Sequence, residues 1–229
     1  MINNRKIIVI IPARGGSKGI PKKNLKKFID KPLVEHSIYY AKESKYVDQI
    51  ILTTDDIKIK KIGQKHKITV VERPKEIAGD FATTESAIEH VINLFNFSKH
   101  SIMILLQPTS PLRPTKSLDK MLNIFVKEKY DSMLTLSPIH PLTWEIHNNQ
   151  LKSMYNYLNR PRRQDLNKKD LIYDENGSVY IFTNKIFEDK KNRLGGKIGN
   201  YIFNEEYGRQ IDTPLDFKIL EVIGDFLKK

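Results

Sequence analysis

The stretch Ile7-Ile8-Val9-Ile10-Ile11-Pro12-Ala13-Arg14-Gly15-Gly16-Ser17-Lys18-Gly19-Ile20-Pro21-Lys22-Lys23-Asn24 decides the reading of the fold. Residues 7–11 are an unbroken apolar, β-branched run. With no polar face to turn to water, such a run reads as a strand buried on both sides of a sheet. Pro12 has no N–H to donate and ends it. The loop that follows carries Gly15, Gly16 and Gly19 together with Arg14, Lys18, Lys22 and Lys23. Glycine lets backbone N–H groups come close to an anion, and the cations suit a polyphosphate. The spacing is neither G-x-x-x-x-G-K-[ST] nor G-x-G-x-x-G, so neither a Walker loop nor a dinucleotide fingerprint is indicated. A basic, glycine-rich stretch alone is equally a flexible surface loop. Its place directly after a buried strand favours phosphate.

Working outward, residues 32–43 read as a helix with Pro in its first turn. Residues 50–53 read as a second strand, followed by a helix that Asp55 or Asp56 caps. A short strand at 69–71, a helix at 85–94 opened by Thr83 or Thr84, an apolar strand at 102–106, a helix at 116–127 and a strand at 132–136 continue the series. Alternating strands and helices predict an α/β fold with a parallel sheet covered on both faces. Right-handed crossovers put the strand-to-helix loops on one edge, where ligands bind. The loops 13–24, 54–56 and 107–113 therefore belong to one expected site. From Pro138 the pattern gives way to turn formers, aromatics and short strands, with 178–182 a strand after an Asn176–Gly177 turn. Residues 213–226 return to an amphipathic helix, with Thr213 as N-cap, Pro214 in the first position and Asp216 as a capping carboxylate.

The chain has 229 residues, 39 Lys and Arg against 27 Asp and Glu, a net charge of +12, and no Cys. The last point excludes a disulfide framework, a thiol nucleophile and a zinc–thiolate site. No apolar run approaches the ~18 residues of a membrane span. The first residues read as a strand and not as a signal peptide, so a cytoplasmic protein is expected. The excess charge is mostly Lys scattered along the chain, without a basic stripe interleaved with aromatics. An anionic metabolite is the expected partner; nucleic acid and membrane are not. His36, His90, His140 and His147 lack ligand spacing.

The ordered set IPARGGSKGIPKKN, KPLVEHSI, LTTDD (52–56), ERPKEIAGDFATTESA (72–87), LLQPTSPLRP (105–114), NGSVYIF (176–182) and IDTPLDF (211–217) resembles the cytidylyltransferases that activate sialic acid and related nine-carbon sugar acids. The resemblance runs from Ile7 to about Leu220. It implies a single Rossmann-like nucleotidyltransferase domain over 1–229, with an inserted β-rich segment, 138–182, serving as a lid or dimerisation arm. It also implies transfer of CMP from CTP to a sugar acid with release of pyrophosphate, Mg²⁺ as cofactor and a homodimer.

Carried over by position, the resemblance makes Arg14 and Lys23 the pair that holds the triphosphate, within a nucleotide-binding loop of Ala13, Arg14, Gly15, Gly16, Ser17, Lys23 and Asn24. Arg73, Ala82 and Thr84 fall around cytosine and ribose. Gln107, Arg163 and Tyr180 approach the sugar, the last two from the β-rich segment, and Asp212 binds metal. Arg14, Lys23 and Asp212 are the expected catalytic residues. Two positions depart from the pattern. Gln210 stands where an Asp-x-Asp pair has its first carboxylate, and Thr143 follows His140-Pro141-Leu142 where a sugar-facing Lys is common. The acceptor thus stays open among N-acylneuraminate, legionaminate and pseudaminate. Other readings are a transferase of the same fold for another sugar or base, an anion- or nucleic-acid-binding module, or a non-catalytic scaffold.

Overall fold

A computed structural model describes residues 2–139, 142–166 and 171–228. Seven strands form one sheet: β1 (Ile7–Pro12), β4 (Gln49–Thr54), β5 (Thr69–Glu72), β6 (Ile102–Leu106), β7 (Ser132–Ile139), β10 (Ile172–Thr183) and β11 (Ile198–Ile202), in the order β11-β7-β10-β6-β1-β4-β5. Two small hairpins stand apart, β2 (Lys27–Phe28) with β3 (Lys31–Pro32) and β8 (Trp144–His147) with β9 (Gln150–Ser153). The helices are α1 (Leu33–Lys42), α2 (Ile57–Lys65), α3 (Thr84–Phe95), α4 (Ser117–Lys127), α5 (Asn184–Lys190) and α6 (Pro214–Leu227).

β1 is central and parallel to β4 and β6, as its two apolar faces require. Ile7, Val9 and Ile11 pack on one face with Val34 and Ile38 of α1 and Leu122 and Phe125 of α4. Ile8 and Ile10 pack on the other with Ile88 and Val91 of α3. Caps set the helix starts. Asp56 accepts from the Lys58 and Ile59 amides, at 2.7 and 3.0 Å. Thr83 accepts from the Ser86 amide at 3.1 Å. Thr213 and Asp216 form a reciprocal capping box on α6. A third, smaller core joins α6 to the loop after β1 through Ile20, Phe28, Leu33, Ile211, Phe217 and Leu220.

The structure corrects one expectation. The Asn176–Gly177 pair is not a hairpin turn but a bulge inside the twelve-residue strand β10, whose register with β7 shifts between Glu175 and Tyr180. The buried Asn176 side chain supplies the bonds the ladder loses there: it accepts from Thr135 Oγ1 at 2.6 Å and the Ser178 amide at 3.1 Å, and donates to Ser137 Oγ at 3.0 Å. Parts of the β-rich stretch 138–182 belong to the main sheet. β7 runs to Ile139, and β10 lies antiparallel between β6 and β7. What stands off the sheet is the β8–β9 hairpin and the 3-10 turns Tyr157–Asn159 and Arg163–Asp165. His140 and Pro141 lie outside the described residues.

Gly177 has φ +63°, and a Cβ there would lie 2.6 Å from the Gln210 side chain. Gly177→Ala is expected to lower stability by about 1–2 kcal/mol from the left-handed backbone alone. Urea denaturation checks this; an unchanged midpoint would mean that the bulge relaxes freely.

Candidate active site

The carboxyl ends of β1, β5 and β6 open on a cavity of about 360 Å³, lined among others by Arg14, Ser17, Lys18, Lys23, Asn24, Arg73, Ala82, Thr84, Gln107 and Asp212. Among the described residues, the charged side chains on its wall are the cations Arg14, Lys18, Lys23 and Arg73 and the carboxylate Asp212. Such a wall concentrates polyanions.

The loop after β1 is anchored at both ends. The Ala13 amide donates to the Thr53 carbonyl at 3.0 Å, extending the β1–β4 ladder. Gly15 donates its amide to Asp55 Oδ1 at 2.8 Å, so that N–H already has a partner. Gly19 passes so close to the last motif that a Cβ would lie 2.1 Å from the Asp212 carbonyl oxygen. The Asn24 side chain donates through Nδ2 to the Arg14 carbonyl at 2.9 Å and closes the loop on itself. Gly16 faces open space. Ala13 and Gly16 are not on the cavity wall.

Lys23 donates to the Ile211 carbonyl at 2.6 Å and sits 3.7 Å from Asp212 Oδ1. Burial holds its ammonium below the usual lysine range, with the Asp212 carboxylate pulling the other way. Arg73 is buried and donates to the Thr53 carbonyl at 2.8 Å and to Thr53 Oγ1 at 3.3 Å. Its pKa is drawn down to about 10 by burial, against the opposing charge of Asp55. Arg14 donates to the Gly79 carbonyl at 2.5 Å and pairs with Asp80 at 3.4 Å.

Gln107 lines the cavity at the end of β6. Its carbonyl accepts from Arg113 at 2.8 Å, and Arg113 also donates to the Ser178 carbonyl at 3.1 Å. Ser110 donates to the Asn176 carbonyl at 3.1 Å. The stretches QPTSPLR and NGS thus bind each other. Arg113 is buried, pairs with no carboxylate among the described residues, and has its pKa lowered by burial to about 10.

Tyr180 is not at the cavity. Its side chain is buried in the core on the α3 face, its hydroxyl donates to Glu175, and the Arg193 guanidinium lies 4.3 Å from its ring centroid. Burial and the Glu175 carboxylate raise its pKa to about 12. The alternation of β10 around the bulge turns this residue inward. Arg163 begins a 3-10 turn, and its side chain lies outside the described part of the structure. Asp216 caps α6, accepting from the Thr213 amide at 2.7 Å.

Three participants have site roles that the sequence did not assign to them. Asp55 holds the Gly15 amide, Thr53 holds Arg73, and Asp80 pairs with two cations of the loop. The quoted runs LTTDD and GDFATT contain them, but only the fold brings them to the loop.

Among the described residues no cluster of three His, Cys, Asp or Glu is arranged to hold a metal. Gln210 lines a neighbouring cavity of about 580 Å³ with Asp174, Glu205, Arg209 and Asp212, and not the first one. Asp212 lines both cavities and keeps an exposed carboxylate. One carboxylate beside a polyphosphate site fits the way Mg²⁺ is commonly held, through one or two carboxylates and the phosphates themselves.

A cytidylyltransferase family model matches residues 8–221. The chain is 28% identical over 215 residues to an N-acylneuraminate cytidylyltransferase of Escherichia coli O18:K1:H7, covering 93% of this chain and 51% of the relative. It is 30% identical over 226 residues to a CMP-N,N'-diacetyllegionaminic acid synthase of Legionella pneumophila, covering 94% and 95%. An N-acylneuraminate cytidylyltransferase of Oncorhynchus mykiss is 30% identical over 224 residues, with 95% and 50% covered. The chain thus spans about half the length of the two N-acylneuraminate enzymes and nearly all of the legionaminic acid one. A CMP:2-keto-3-deoxy-manno-octonic acid synthetase complexed with CTP superposes with TM-score 0.71 at 16% identity, covering 97% of this chain and 99% of that one. At that identity the likeness speaks for the fold.

Inorganic tripolyphosphate is expected to stabilise the protein, by about 2.7 kcal/mol at a hundredfold excess over Kd. At this chain length that is a rise in Tm of roughly 5 °C or more. The rise is expected to shrink as the pH climbs toward the ordinary lysine range, because burial makes Lys23 lose its proton earlier than a free lysine does. Thermal scans with and without the anion check both points; no shift at neutral pH would remove the polyanion site.

Proposed function

The chain belongs to the cytidylyltransferase family, and from that premise we propose that it transfers CMP from CTP to the anomeric hydroxyl of a nine-carbon sugar acid, N-acylneuraminate or a relative such as legionaminate, and releases pyrophosphate. The observation that carries this reading is one cavity wall. It joins the loop cations Arg14 and Lys23 to Arg73, Ala82 and Thr84 on one side and to Gln107 and Asp212 on the other.

In this reading the triphosphate lies along Arg14, Ser17 and Lys23, and the base lies toward Arg73. The acceptor oxygen forms its bond to the α-phosphorus in line, and the bond from that phosphorus to the bridging oxygen breaks. Pyrophosphate leaves with the electron pair, and the hydroxyl proton passes to solvent. Lys23 and Arg14 meet the charge that gathers on the departing pyrophosphate, so catalysis is chiefly positioning and electrostatics. The Asp212 carboxylate would hold Mg²⁺ together with phosphate oxygens, and the ion would supply neutralisation of phosphate charge. A cytoplasmic location accompanies the use of CTP.

The same reading takes the protein as a homodimer. Support comes from the β8–β9 hairpin and the turn after it, where Trp144, Ile146, Leu151, Met154, Tyr157 and Leu158 are all exposed. A run of large apolar side chains on one projecting arm is the composition of a contact surface.

Pyrophosphate release with each of the four NTPs against a panel of nine-carbon sugar acids tests the reaction. Turnover is expected with CTP and one class of acid, and silence across the panel would overturn it. Arg14→Ala and Lys23→Ala are expected to cost about 10²–10³ in turnover with the fold intact. Ile146→Asp with Leu151→Asp is expected to give monomers by light scattering; a wild type already monomeric at micromolar concentration would refute the dimer.

A further inference from the structure

We propose that Asp80 is the internal counter-ion of the phosphate loop: it pairs with Arg14 and Lys18 while no polyphosphate is bound, is displaced when one enters, and so weakens the hold on pyrophosphate. The inference rests on the reading of this loop as the triphosphate site.

One carboxylate spans two cations. Asp80 Oδ1 lies 3.4 Å from Arg14 Nη1, and Oδ2 lies 3.6 Å from Lys18 Nζ. The backbone adds to the hold, because the Gly79 carbonyl accepts from the same Arg14 nitrogen at 2.5 Å. The Lys18 ammonium also sits 5.5 Å from the centroid of the Phe81 ring, a side chain 98% exposed. Arg14 and Lys18 line the cavity, whereas residues 79–81 do not. The segment thus grips these cations from outside.

Asp80 and Lys18 are substantially exposed, and ion pairs at such exposure are weak. A polyphosphate brings several charges and bidentate acceptors for Arg14, so it outcompetes one carboxylate. The carboxylate does not leave the neighbourhood, however. Tethered through Gly79, it stays within Coulomb range of the bound anion and raises its energy. The effect bears on product as well as substrate, since pyrophosphate retains most of the charge of the triphosphate tail. A loop of cations alone would release it slowly.

Asp80→Asn removes the charge at constant shape. By titration calorimetry with inorganic pyrophosphate, the variant is expected to bind about five- to tenfold tighter than wild type at low salt. The gap is expected to close toward 1 M salt, where the screening length is about 3 Å. Asp80→Glu should restore wild-type affinity. In turnover, the Asn variant should show a lower KM for CTP and stronger inhibition by pyrophosphate, with KM for the acid unchanged. A side chain that merely supports the loop would weaken binding when changed, not tighten it. Affinity for pyrophosphate that is equal to or below wild type, or undetectable in both proteins, overturns the inference. CTP turnover without the tightening overturns it and leaves the proposed reaction standing. Tightening without turnover on any acid does the reverse.

Discussion

The Lys23 ammonium against the Ile211 carbonyl, 2.6 Å apart and 188 residues distant in sequence, closes the loop after β1 onto the last motif. A loop rich in glycine and like charges has little reason of its own to hold one conformation. Apolar packing supplies the reason. Ile20, in the middle of the loop, enters the small core formed by Phe28, Leu33, Ile211, Phe217 and Leu220. Burial of that side chain fixes the loop's depth, and the missing Cβ of Gly19 allows contact with the Asp212 carbonyl. Lys23 then has one position, and Asp212 is beside it. The polar site is registered by the hydrophobic contact beneath it.

The arrangement has an electrostatic cost that the empty protein bears. Burial holds Arg73 and Lys23 below their ordinary pKa values, so each opposes folding while protonated. For Arg73 that penalty is fully present below about pH 10 and fades as the pH rises further. Part of that cost is met inside the site by the Thr53 carbonyl, the Ile211 carbonyl and the carboxylates Asp55 and Asp212. An anionic ligand meets the remainder, which is why a site of this kind gains stability on binding.

Much of this was legible in the chain because it depends on local chemistry. The apolar run of β6 is read to the residue at 102–106, and Thr213, Pro214 and Asp216 announce α6 by cap chemistry alone. Composition misleads where a side chain takes over backbone work. Asn176-Gly177 has the chemistry of a turn, yet Asn176 is buried and bonds three neighbours, so the strand continues through it. That also explains Tyr180, whose inward direction follows from the register after the bulge. The edge strand β11 and helix α5 were not foreseen at all; β11 is short and half exposed, and it exists through pairing with β7. Asp80 was invisible for another reason. Its role lies in its distance from Arg14 and Lys18, which no local pattern encodes.

Gln210 makes physical sense once the two cavities are seen to share a wall. Its side chain rests where Gly177 has no Cβ, and it faces the second cavity with Asp174, Glu205 and Asp216. A carboxylate at this position would add negative charge to that group, which faces the cation Arg209. A neutral amide fills the same volume without that repulsion. The first cavity keeps Arg14, Lys18, Lys23 and Arg73, with Asp212 as its one carboxylate among the described residues. A polyanion is therefore drawn to one side of Asp212 and repelled from the other. That residue marks the electrostatic boundary of the site, and the departure at 210 leaves the boundary in place.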